Sequence, residues 1–420
     1  MILLLVAGFI GLLLIGAPVA FALGLSSLAA LVYEGMPLAV VAQKMVASID
    51  SFLLLAIPFF LLTGHLMDRT GIAHDIVSFA ETVVGRFRGG LGHANVAQNV
   101  LMGGMTGSAV ADTASSGTSM IPAMVRRGYT PAFSAAITAC SSIISVVLPP
   151  SVPMIVYCVV TGASVTRLFI AGIVPGVLVA VVMMLAIALV AKRQNMPQGQ
   201  RYSLREMGRA FIVAIPALTL PVVIIGSIRF GIATPTEASV VATVYAWLLG
   251  QFWYRNITLK DLKPITLAAA STTGVVMMMI AAASLYGLIL TRAQVPQQVA
   301  AWVADFTDNP YAVLLLILCI YLVMGAILDL TANIIILVPI LFPVTQQLGI
   351  DPIHFGLITI IALAIGLVTP PVGICLFVAA AIAREPVMRV AWAAMPYMIA
   401  TLLLVIVMIF VPQISTFLVS

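Results

Sequence analysis

Charged side chains are scarce in this chain. Only 8% of its 420 residues are Asp, Glu, Lys or Arg, whereas 62% are hydrophobic and the mean hydropathy is +1.20. A soluble domain needs a far more polar surface, so this composition excludes one and predicts a polytopic membrane protein in a lipid bilayer. The net charge of +5 comes from cations clustered between apolar segments. No basic patch with interleaved aromatics is present, so we expect no nucleic-acid partner.

Motifs for several chemistries are also missing. The chain contains no Gly-x-x-x-x-Gly-Lys-Ser/Thr loop for ATP phosphates, no His-Glu-x-x-His zinc motif and no paired Asp motif. We therefore expect a protein that is not an enzyme, and any uphill work would draw on an ion gradient or a partner. Cys140, Cys158, Cys319 and Cys375 lie in apolar segments without Cys-x-x-Cys spacing, so we expect buried thiols.

A polar tract of small residues interrupts the apolar chain at residues 107–122. It contains Asp112 and is followed by a broken apolar segment, residues 148–153, with Pro149 and Pro150 at its centre. Proline removes an amide donor and clashes with the preceding helical turn. The pair should therefore open a helix and leave free carbonyls at mid-membrane depth.

The same arrangement recurs downstream. Asp329 precedes Pro339 by ten residues, as Asp112 precedes Pro122, and a second broken segment follows at residues 368–373. We therefore predict two copies of a unit made of a hairpin and a broken helix, with Asp112 and Asp329 at matched positions.

The cations predict how the two units are oriented. Arg86 and Arg88 precede the first hairpin and Arg126 and Arg127 follow it, so both of its ends should face the cytoplasm, as in a re-entrant hairpin. Residues 293–383 contain no Lys or Arg, so the second hairpin should enter from the opposite side. Inverted repeats of this kind are typical of secondary transporters, which bind their cargo near the midplane.

The predicted fold class is an all-α polytopic membrane protein with two inverted repeats, each with a re-entrant hairpin and a broken helix. The N-terminus should be cytoplasmic and the C-terminus periplasmic, and residues 2–32 should form one transmembrane helix. Five parts are predicted: an N-terminal scaffold with amphipathic arm helices (1–92), a first transport repeat (93–190), a basic linker with central scaffold spans (191–292), a second, inverted transport repeat (293–383) and a C-terminal span (384–420). The first repeat should consist of hairpin 93–127 and broken helix 129–160. The second should consist of hairpin 310–350 and broken helix 353–383.

Two interpretations of Asp112 and Asp329 stay open. An ionisable residue inside the membrane costs roughly 2.5 to 3.5 kcal/mol on insertion scales, so each carboxylate needs compensation. Each Asp could cap a half-helix by accepting backbone N–H bonds. Alternatively, hairpin tip and broken helix form an oxygen-rich cage for a small hard cation.

The candidate oxygen donors fall into two sets. The first set is Gly107, Ser108, Asp112, Ser115, Ser116 and the carbonyls from Pro149 and Pro150 to Ser151; the second is Gly325, Asp329, Thr331, Asn333, the Thr369 hydroxyl and the carbonyls from Gly366 through Pro370 to Gly373. The hydroxyl run at 113–119 could instead be small residues for helix packing. Half-helix N-termini at the breaks would favour an anionic cargo, such as an organic acid.

Two further sets of residues lie outside these units. Arg229 lies eight residues before Glu237 and is expected to pair with it at the outer interface. Met277, Met278 and Met279 form a run that indicates adaptable packing.

Four motifs carry a family resemblance. Gly-Ser-Ala-Val-Ala-Asp-Thr-Ala-Ser-Ser-Gly-Thr (107–118), Leu-Pro-Pro-Ser (148–151), Ala-Thr-Pro-Thr-Glu-Ala (233–238) and Thr-Pro-Pro-Val-Gly (369–373) occur in this order. With them the chain resembles, along essentially its whole length, the large M (DctM-type) membrane subunit of the tripartite ATP-independent periplasmic (TRAP) transporters.

The resemblance implies sodium-coupled import of an organic carboxylate across a bacterial inner membrane by an elevator mechanism. Sialic acid, C4-dicarboxylates and similar sugar acids are the implied cargoes. The implied partners are a periplasmic substrate-binding protein (P-type) and a small four-helix membrane subunit (Q/DctQ-type), expected as a separate chain because nothing precedes the first span. The alternative is a self-sufficient sodium/carboxylate symporter of a related fold.

The resemblance also implies roles for the candidate donors. Ser108, Ser151 and Asp329 are similar to substrate-facing residues of the family. The two cages resemble sodium sites, so Na⁺ is the expected coupling ion, with two or more ions per cycle. The sodium set is Gly107, Asp112, Ser115, Ser116, Pro149, Pro150, Gly325, Thr331, Asn333, Gly366, Thr369, Pro370 and Gly373.

Overall fold

Helices are the regular secondary structure of this protein. The structure, a computed structural model, describes residues 1–70, 72–194, 196 and 202–419, apart from the side chains of residues 73, 74 and 304–306. Within that part of the chain, six helices are long and apolar enough to cross a membrane: Phe52–Thr70, Val165–Arg193, Leu204–Arg229, Leu259–Arg292, Leu330–Gln347 and Val387–Phe410.

The N-terminal apolar stretch forms two helices, so the prediction of one span over residues 2–32 was wrong. Helix α1 (Ile2–Leu14) and helix α2 (Val19–Tyr33) pack against each other. Gly16 adopts φ +84° between them and Pro18 immediately precedes α2. A left-handed glycine followed by a residue without an amide donor ends a helix regardless of how apolar its neighbours are.

Three further helices lead to the first hairpin. They are α3 (Leu38–Ile49), α4 (Ala56–Thr70), which continues from a 3₁₀ turn at Phe52–Leu55, and α5 (Ile72–Val84). Helices α3 and α5 are the two amphipathic arms of the sequence prediction, and α4 lies between them.

The first four-helix unit follows the Gly85–Gly89 turn. It consists of α6 (Gly90–Thr106), α7 (Ala109–Arg126), α8 (Pro131–Ser142), which is extended by a 3₁₀ turn at Ile143–Val146, and α9 (Val152–Thr161). The segment between α8 and α9 contains the cis peptide Pro149–Pro150.

Four helices form the middle of the chain. They are α10 (Val165–Arg193), α11 (Leu204–Arg229), α12 (Pro235–Leu248), which ends in a π-helical turn at Leu249–Trp253, and α13 (Leu259–Arg292). The expected Arg229–Glu237 pair is absent. Glu237 instead accepts from the N–H and hydroxyl of Thr234 in a capping box, while the Arg229 guanidinium donates to the carbonyl of Leu418. Glu237 bonds Thr234 because a capping box forms locally, between residues three positions apart, whereas Arg229 is eight positions away.

The second four-helix unit is preceded by a helix that the sequence analysis did not predict, α14 (Val295–Phe306). The unit consists of α15 (Pro310–Gly325), α16 (Leu330–Gln347), α17 (Pro352–Gly366) and α18 (Ile374–Ala383), and α19 (Val387–Phe410) and α20 (Gln413–Thr416) complete the chain. Cys319 on α15 is exposed, contrary to the expectation of four buried thiols, whereas the other three cysteines are buried.

The second hairpin helices, the starts of the helices that follow them and the proline pairs of the two units lie at one common offset. Helix α16 begins and ends 221 residues after α7, α17 begins 221 residues after α8, and Pro370 lies 221 residues after Pro149. At this offset Asp112 corresponds to Asn333, and Pro122 corresponds to Pro343. The sequence alignment of Asp112 with Asp329 was therefore wrong by four residues, about one helical turn. The error arose because α16 has two internal prolines, Pro339 and Pro343.

Each hairpin packs against the broken helix of the other unit. Helix α18 contacts α7 and α8, and α16 contacts α9. Helices α4 and α13 pack beside them, α4 against α6 and α13 against α16, while α12 backs α4 and α2 backs α13. The hairpin tips and helix breaks are therefore brought together in the interior, with α4 and α13 facing them.

Candidate functional site

A cavity of about 310 Å³ lies where the two hairpin tips meet. Its first-unit residues are Gly107, Ser108, Ala109 and Val110 from the hairpin and Val146, Val152 and Pro153 from the break; its second-unit residues are Asp329, Leu330, Thr331 and Leu367. Two of the three predicted substrate-facing residues, Ser108 and Asp329, thus line one cavity, although 221 positions separate them in sequence.

Three helices point their N-termini at this cavity. Ser108 is the N-cap of α7, and its Oγ accepts from the Ala111 N–H at 3.4 Å. Asp329 is the N-cap of α16, and its Oδ2 accepts from the Thr331 N–H at 3.0 Å. The first two residues of α9, Val152 and Pro153, also line the cavity. Because helix N-termini carry positive dipole ends, the cavity suits an anionic group.

Ser151, the third predicted substrate-facing residue, lies behind the cavity wall. It is fully buried, donates to the Val146 carbonyl at 2.6 Å and caps α9 by accepting from the Met154 N–H at 3.4 Å. The Ser151 hydroxyl therefore determines where α9 begins, while the next two residues, Val152 and Pro153, line the cavity.

The remaining wall comes from helices that the sequence analysis did not connect with the site. Leu61 on α4 and Thr272, Val275, Val276 and Met279 on α13 line the cavity. Of the methionine run, Met279 is therefore cavity wall as well as packing. Contacts between elements this far apart in the chain leave no local sequence signal, which is why these residues were missed.

Asp112 lies close to the cavity in the first unit and is buried. Its Oδ1 accepts from the Thr106 hydroxyl at 2.6 Å, and its carboxylate also faces Ser145. Its Oδ2 has no hydrogen-bond partner among the described residues. Burying an ionised oxygen without a partner is costly, so this atom is suited to a cation.

The carbonyls of the proline pair face the first hairpin tip. A β-carbon placed on Gly107 would lie 2.7 Å from the Pro150 carbonyl oxygen, and one on Gly104 would lie 3.4 Å from that of Pro149. Gly107 has φ +60°, which a residue with a side chain rarely adopts. Glycine is thus required for the tip to approach these oxygens.

The hydroxyls of the polar tract do not converge on the cage. The polar tract was predicted as the hairpin tip over residues 107–119, but the structure places residues 109–119 inside α7, so the tip is confined to Gly107 and Ser108. The Ser116 hydroxyl donates to the Asp112 carbonyl, and the Ser115 hydroxyl donates to Asp68 Oδ1 on α4 at 3.1 Å. Asp68 therefore joins α4 to the first hairpin, a contact that sequence reasoning missed.

A buried polar network fixes the first hairpin to its broken helix. The Asn95 amide donates to the Thr138 hydroxyl at 2.6 Å, and the Asn99 amide donates to that of Ser141 at 2.7 Å. The Thr113 and Ser142 hydroxyls share a hydrogen bond of 2.6 Å. Since each bond joins α6 or α7 to α8, these helices form one tightly connected body.

The second unit places Asn333 where the first has Asp112. Asn333 is fully buried, and its amide donates to the carbonyls of Met324 and Leu328 at 3.1 and 3.0 Å. Its Oδ1 has no hydrogen-bond partner in the described part of the chain. Thr331 is half-buried and reaches the cavity, and the Thr369 hydroxyl donates to the Ile365 carbonyl at 2.7 Å.

The second break is held against the second hairpin. The Val372 N–H, next to the half-buried Pro370 and the cis peptide Pro370–Pro371, donates to the Ala326 carbonyl at 3.1 Å. Gly373 has φ +54° and is the N-cap of α18. A β-carbon on Gly366 would overlap the backbone of Gly325, so α15 and α17 touch at these two glycines.

Comparison with known proteins gives consistent matches. The family model described as "Tripartite ATP-independent periplasmic transporter, DctM component" matches residues 6–414. The "C4-dicarboxylate TRAP transporter large permease protein DctM" of Pseudomonas aeruginosa is 39% identical, with 94% of this chain and 92% of that protein covered. The "Sialic acid TRAP transporter large permease protein SiaM" of Vibrio cholerae is 38% identical, with 97% and 95% covered.

A solved structure is similar in fold. The Alcanivorax borkumensis YdaH transporter, whose crystal structure is described as having an unusual topology, matches with a TM-score of 0.59 over 89% of this chain and 88% of that one. The sequence identity is 15%, so this similarity concerns the fold.

Proposed function

The chain belongs to the DctM-component family of the tripartite ATP-independent periplasmic transporters, and we propose that it is the multi-pass inner-membrane subunit through which an organic carboxylate enters the cell. It is a large permease, so it is a transporter and not an enzyme. The observation that carries the proposed cargo class is the convergence of three helix N-termini on one cavity.

The cavity fits a small organic acid. A volume of about 310 Å³ is at the lower end of the range for small-molecule sites, roughly 300 to 1,000 Å³. Ser108 and the N-terminal amides of α7, α9 and α16 would bind the carboxylate, and Ser151 would orient α9. A C4-dicarboxylate, sialic acid or a similar sugar acid is the proposed cargo, since relatives are named for the first two.

Sodium is the proposed coupling ion. Asp112 Oδ2 in the first unit and Asn333 Oδ1 in the second are buried side-chain oxygens that lack a hydrogen-bond partner among the described residues, and the proline-pair carbonyls lie close to the first hairpin tip. Oxygen donors of this kind fit a small hard cation. Bound Na⁺ would supply positive charge beside Asp329, whose carboxylate would otherwise repel an anionic cargo.

We further propose that the two hairpins and broken helices move as one body. The hydrogen-bond network within the first unit and the cross-packing of α7 with α18 and of α16 with α9 support a rigid body. Helices α4 and α13 would be the stationary wall. A periplasmic binding protein would deliver the cargo, and a small four-helix membrane subunit would complete the complex.

The test is sodium-driven uptake in liposomes that contain the chain and its small membrane partner, with and without the binding protein. We expect uptake of labelled succinate or sialic acid only with an inward sodium gradient and the binding protein. Asp329→Asn and Ser108→Ala should each abolish uptake while membrane insertion remains normal. Normal uptake in both variants would contradict the site.

The alternative is a self-sufficient sodium/carboxylate symporter. It differs in one measurable respect, because sodium-driven uptake would then proceed at full rate without the binding protein. That result would place the choice of cargo in the cavity of this chain.

A further inference from the structure

A second cavity lies away from the proposed transport site, between the turn after α5 and the C-terminal half of α10. Its volume is about 540 Å³. Its walls are apolar, formed by Val84, Phe87, Val181, Met184, Leu185 and Ala188. Among the described residues that line it, Arg88, His93 and Lys192 are polar and none is a carboxylate. We refer to this cavity as the α10 groove.

Two cations lie at the same end of the α10 groove. A β-carbon on Gly89 would meet the side chains of Ala191 and Ile187 at 2.9 and 3.1 Å, so the turn is packed directly against α10. Arg88 and Lys192, the sequence neighbours of Gly89 and Ala191, therefore flank one opening. Both side chains are exposed, and neither has an ion pair with another described residue.

His93 adds a buried polar atom to the groove. The side chain is 5% exposed and its ring meets that of Phe87 edge-on, with centroids 5.8 Å apart. Its Nε2 is buried and has no hydrogen-bond partner in the described part of the chain. A buried imidazole nitrogen in this position needs a ligand or water, because leaving it unpaired is unfavourable.

A third cavity lies on the other side of α10. It measures about 470 Å³ and runs between α10 and α19, and the described residues that line it are all apolar, among them Leu185, Leu189 and Leu403. Leu185 lines both cavities and is 60% exposed, so it forms the ridge between them.

The length of the groove matches one leaflet of a bilayer. Lys192 and Val181 are eleven residues apart on α10, which at 1.5 Å per residue is about 16 Å. The hydrocarbon core of a bilayer is about 30 Å thick, so this distance is about half of it. With the two cations at the membrane surface, the apolar walls would extend from there toward the midplane.

We propose that the α10 groove binds one anionic glycerophospholipid. Its phosphate lies between Arg88 and Lys192, a hydroxyl of its headgroup donates to His93 Nε2, and its two acyl chains straddle Leu185, one in the α10 groove and one between α10 and α19. Basic pockets with apolar walls at the cytoplasmic surface are the type of site that binds anionic headgroups.

The contacts favour a lipid over the two other classes of ligand. A soluble anion would use the cations but not the two apolar cavities. A transmembrane helix of a partner would cover the apolar ridge but has no phosphate to place between two exposed cations. Because the bound lipid would join the turn after α5 to α10, it would also stabilise the packing of the arm α5 beside α10.

Four variants separate these contributions. Arg88→Gln with Lys192→Gln removes the two cations that would bind the headgroup. Leu185→Trp places a larger side chain on the ridge between the cavities, where it would occupy space needed by the acyl chains. The matched controls are Lys260→Gln with Lys263→Gln, two exposed cations at the N-terminal end of α13, and Val177→Trp, an exposed α10 residue that lines neither cavity.

The experiment is native mass spectrometry of the delipidated chain titrated with dioleoylphosphatidylglycerol. We expect one tight binding event, with affinity reduced about fivefold per removed cation and about 25-fold in the double Gln variant, as expected for cations near an anionic surface. Leu185→Trp should also weaken binding, whereas both controls should bind like the parent chain. Each variant must elute as a single species with the thermal unfolding midpoint of the parent.

Three results would overturn the proposal. The first is equal binding of dioleoylphosphatidylcholine, since its headgroup has no net charge. The second is displacement of the lipid by equimolar sn-glycerol 3-phosphate, which would indicate a site for soluble anions. The third is loss of the small membrane partner from purified complexes of Leu185→Trp, which would make the ridge a protein interface.

Discussion

Asp112 and Asn333 occupy the same turn of the two hairpin helices, each as the fourth residue of its helix. Both are buried, and each has one side-chain oxygen without a hydrogen-bond partner among the described residues. Their other polar side-chain atoms are bonded, because Thr106 donates to Asp112 and the Asn333 amide donates to two carbonyls. Each of these two residues therefore has one oxygen left for a ligand.

For this residue pair we predict that Asp112→Asn weakens sodium binding. The substitution keeps the shape and the Thr106 hydrogen bond but removes the charge. A unit charge pair at 4 Å is worth about 4 kcal/mol at the effective dielectric of a protein surface, and 1.4 kcal/mol already changes affinity tenfold. The sodium concentration for half-maximal uptake should rise about tenfold or more, as measured in proteoliposomes.

The control for Asp112→Asn is Ser119→Ala on the same helix. The Ser119 side chain is exposed and its hydroxyl donates to the Ser116 carbonyl of the same helix, so the substitution should leave the sodium dependence unchanged. An unchanged sodium dependence in Asp112→Asn itself would remove Asp112 from the proposed cage.

The contact of α15 with α17 shows how closely elements of the second unit approach. Gly325 and Gly366 touch backbone to backbone, and Gly366 is buried at the end of α17. Small residues allow such approaches between membrane helices, where packing replaces the hydrophobic effect.

We therefore predict that Gly366→Ala destabilises the protein. The new methyl group would overlap the Gly325 backbone, and overpacking of this kind costs typically 1 to 3 kcal/mol, so the thermal unfolding midpoint in detergent should fall. Gly274→Ala on α13 is the matched control, because a β-carbon there would meet nothing within 4 Å. A midpoint that falls equally in both variants would argue against the contact.

The Asp68–Ser115 contact joins α4 to the first hairpin and provides a test of movement. In a background with Cys319 replaced by Ser, Asp68→Cys with Ser115→Cys should form a disulfide on oxidation, because the oxygens of the native side chains are 3.1 Å apart. If the hairpin moves past α4, uptake should stop on oxidation and return on reduction.

A second pair checks that cross-linking alone does not block transport. Thr113→Cys with Ser142→Cys joins α7 to α8 within one unit, where the hydroxyls are 2.6 Å apart, so its disulfide should leave uptake unchanged. Full uptake with the α4–α7 disulfide completely formed would contradict the proposed movement.

Helices and their ends were largely predictable from local pattern, whereas register was not. The proline pairs and the capping residues Ser108 and Ser151 determine helix starts locally, so the breaks were visible in the sequence. The pairing of Asp112 with Asp329 relied on a proline spacing that α16 offers twice, at Pro339 and Pro343. Only the common helix bounds reveal which proline corresponds to Pro122.

For the whole molecule, the distribution of cations predicts that the bases of the two hairpins face opposite sides of the membrane. Arg126 at the first base and Asn309 at the second are both exposed. A membrane-impermeant maleimide should label Asn309→Cys in intact spheroplasts and Arg126→Cys only after permeabilisation. Cys319 is replaced by Ser in both variants. Labelling of both from the same side would contradict the inverted arrangement.

The walls of the cavity could not be predicted, because they depend on the assembled molecule. Leu61 and Thr272 lie on helices whose sequences show ordinary apolar character, and their role follows from the packing of α4 and α13 beside the hairpins. The hairpin residues Ser108 and Asp329 were predictable because polar atoms within apolar segments are conspicuous.

Each unit has one carboxylate near its hairpin tip, but at different turns. The first has Ser108 at the N-cap and Asp112 inside the helix, whereas the second has Asp329 at the N-cap and Asn333 inside. A shift of four residues, about 6 Å along a helix, moves the charge from the interior to the cavity wall. We propose that the two units have diverged in this way, so that the buried carboxylate of the first holds a cation and the half-buried carboxylate of the second contacts the cargo. The double substitution Ser108→Asp with Asp112→Asn would move the carboxylate of the first unit to the N-cap of its helix. Both units would then have an Asp at the N-cap and an Asn four residues later, and neither would have the buried carboxylate.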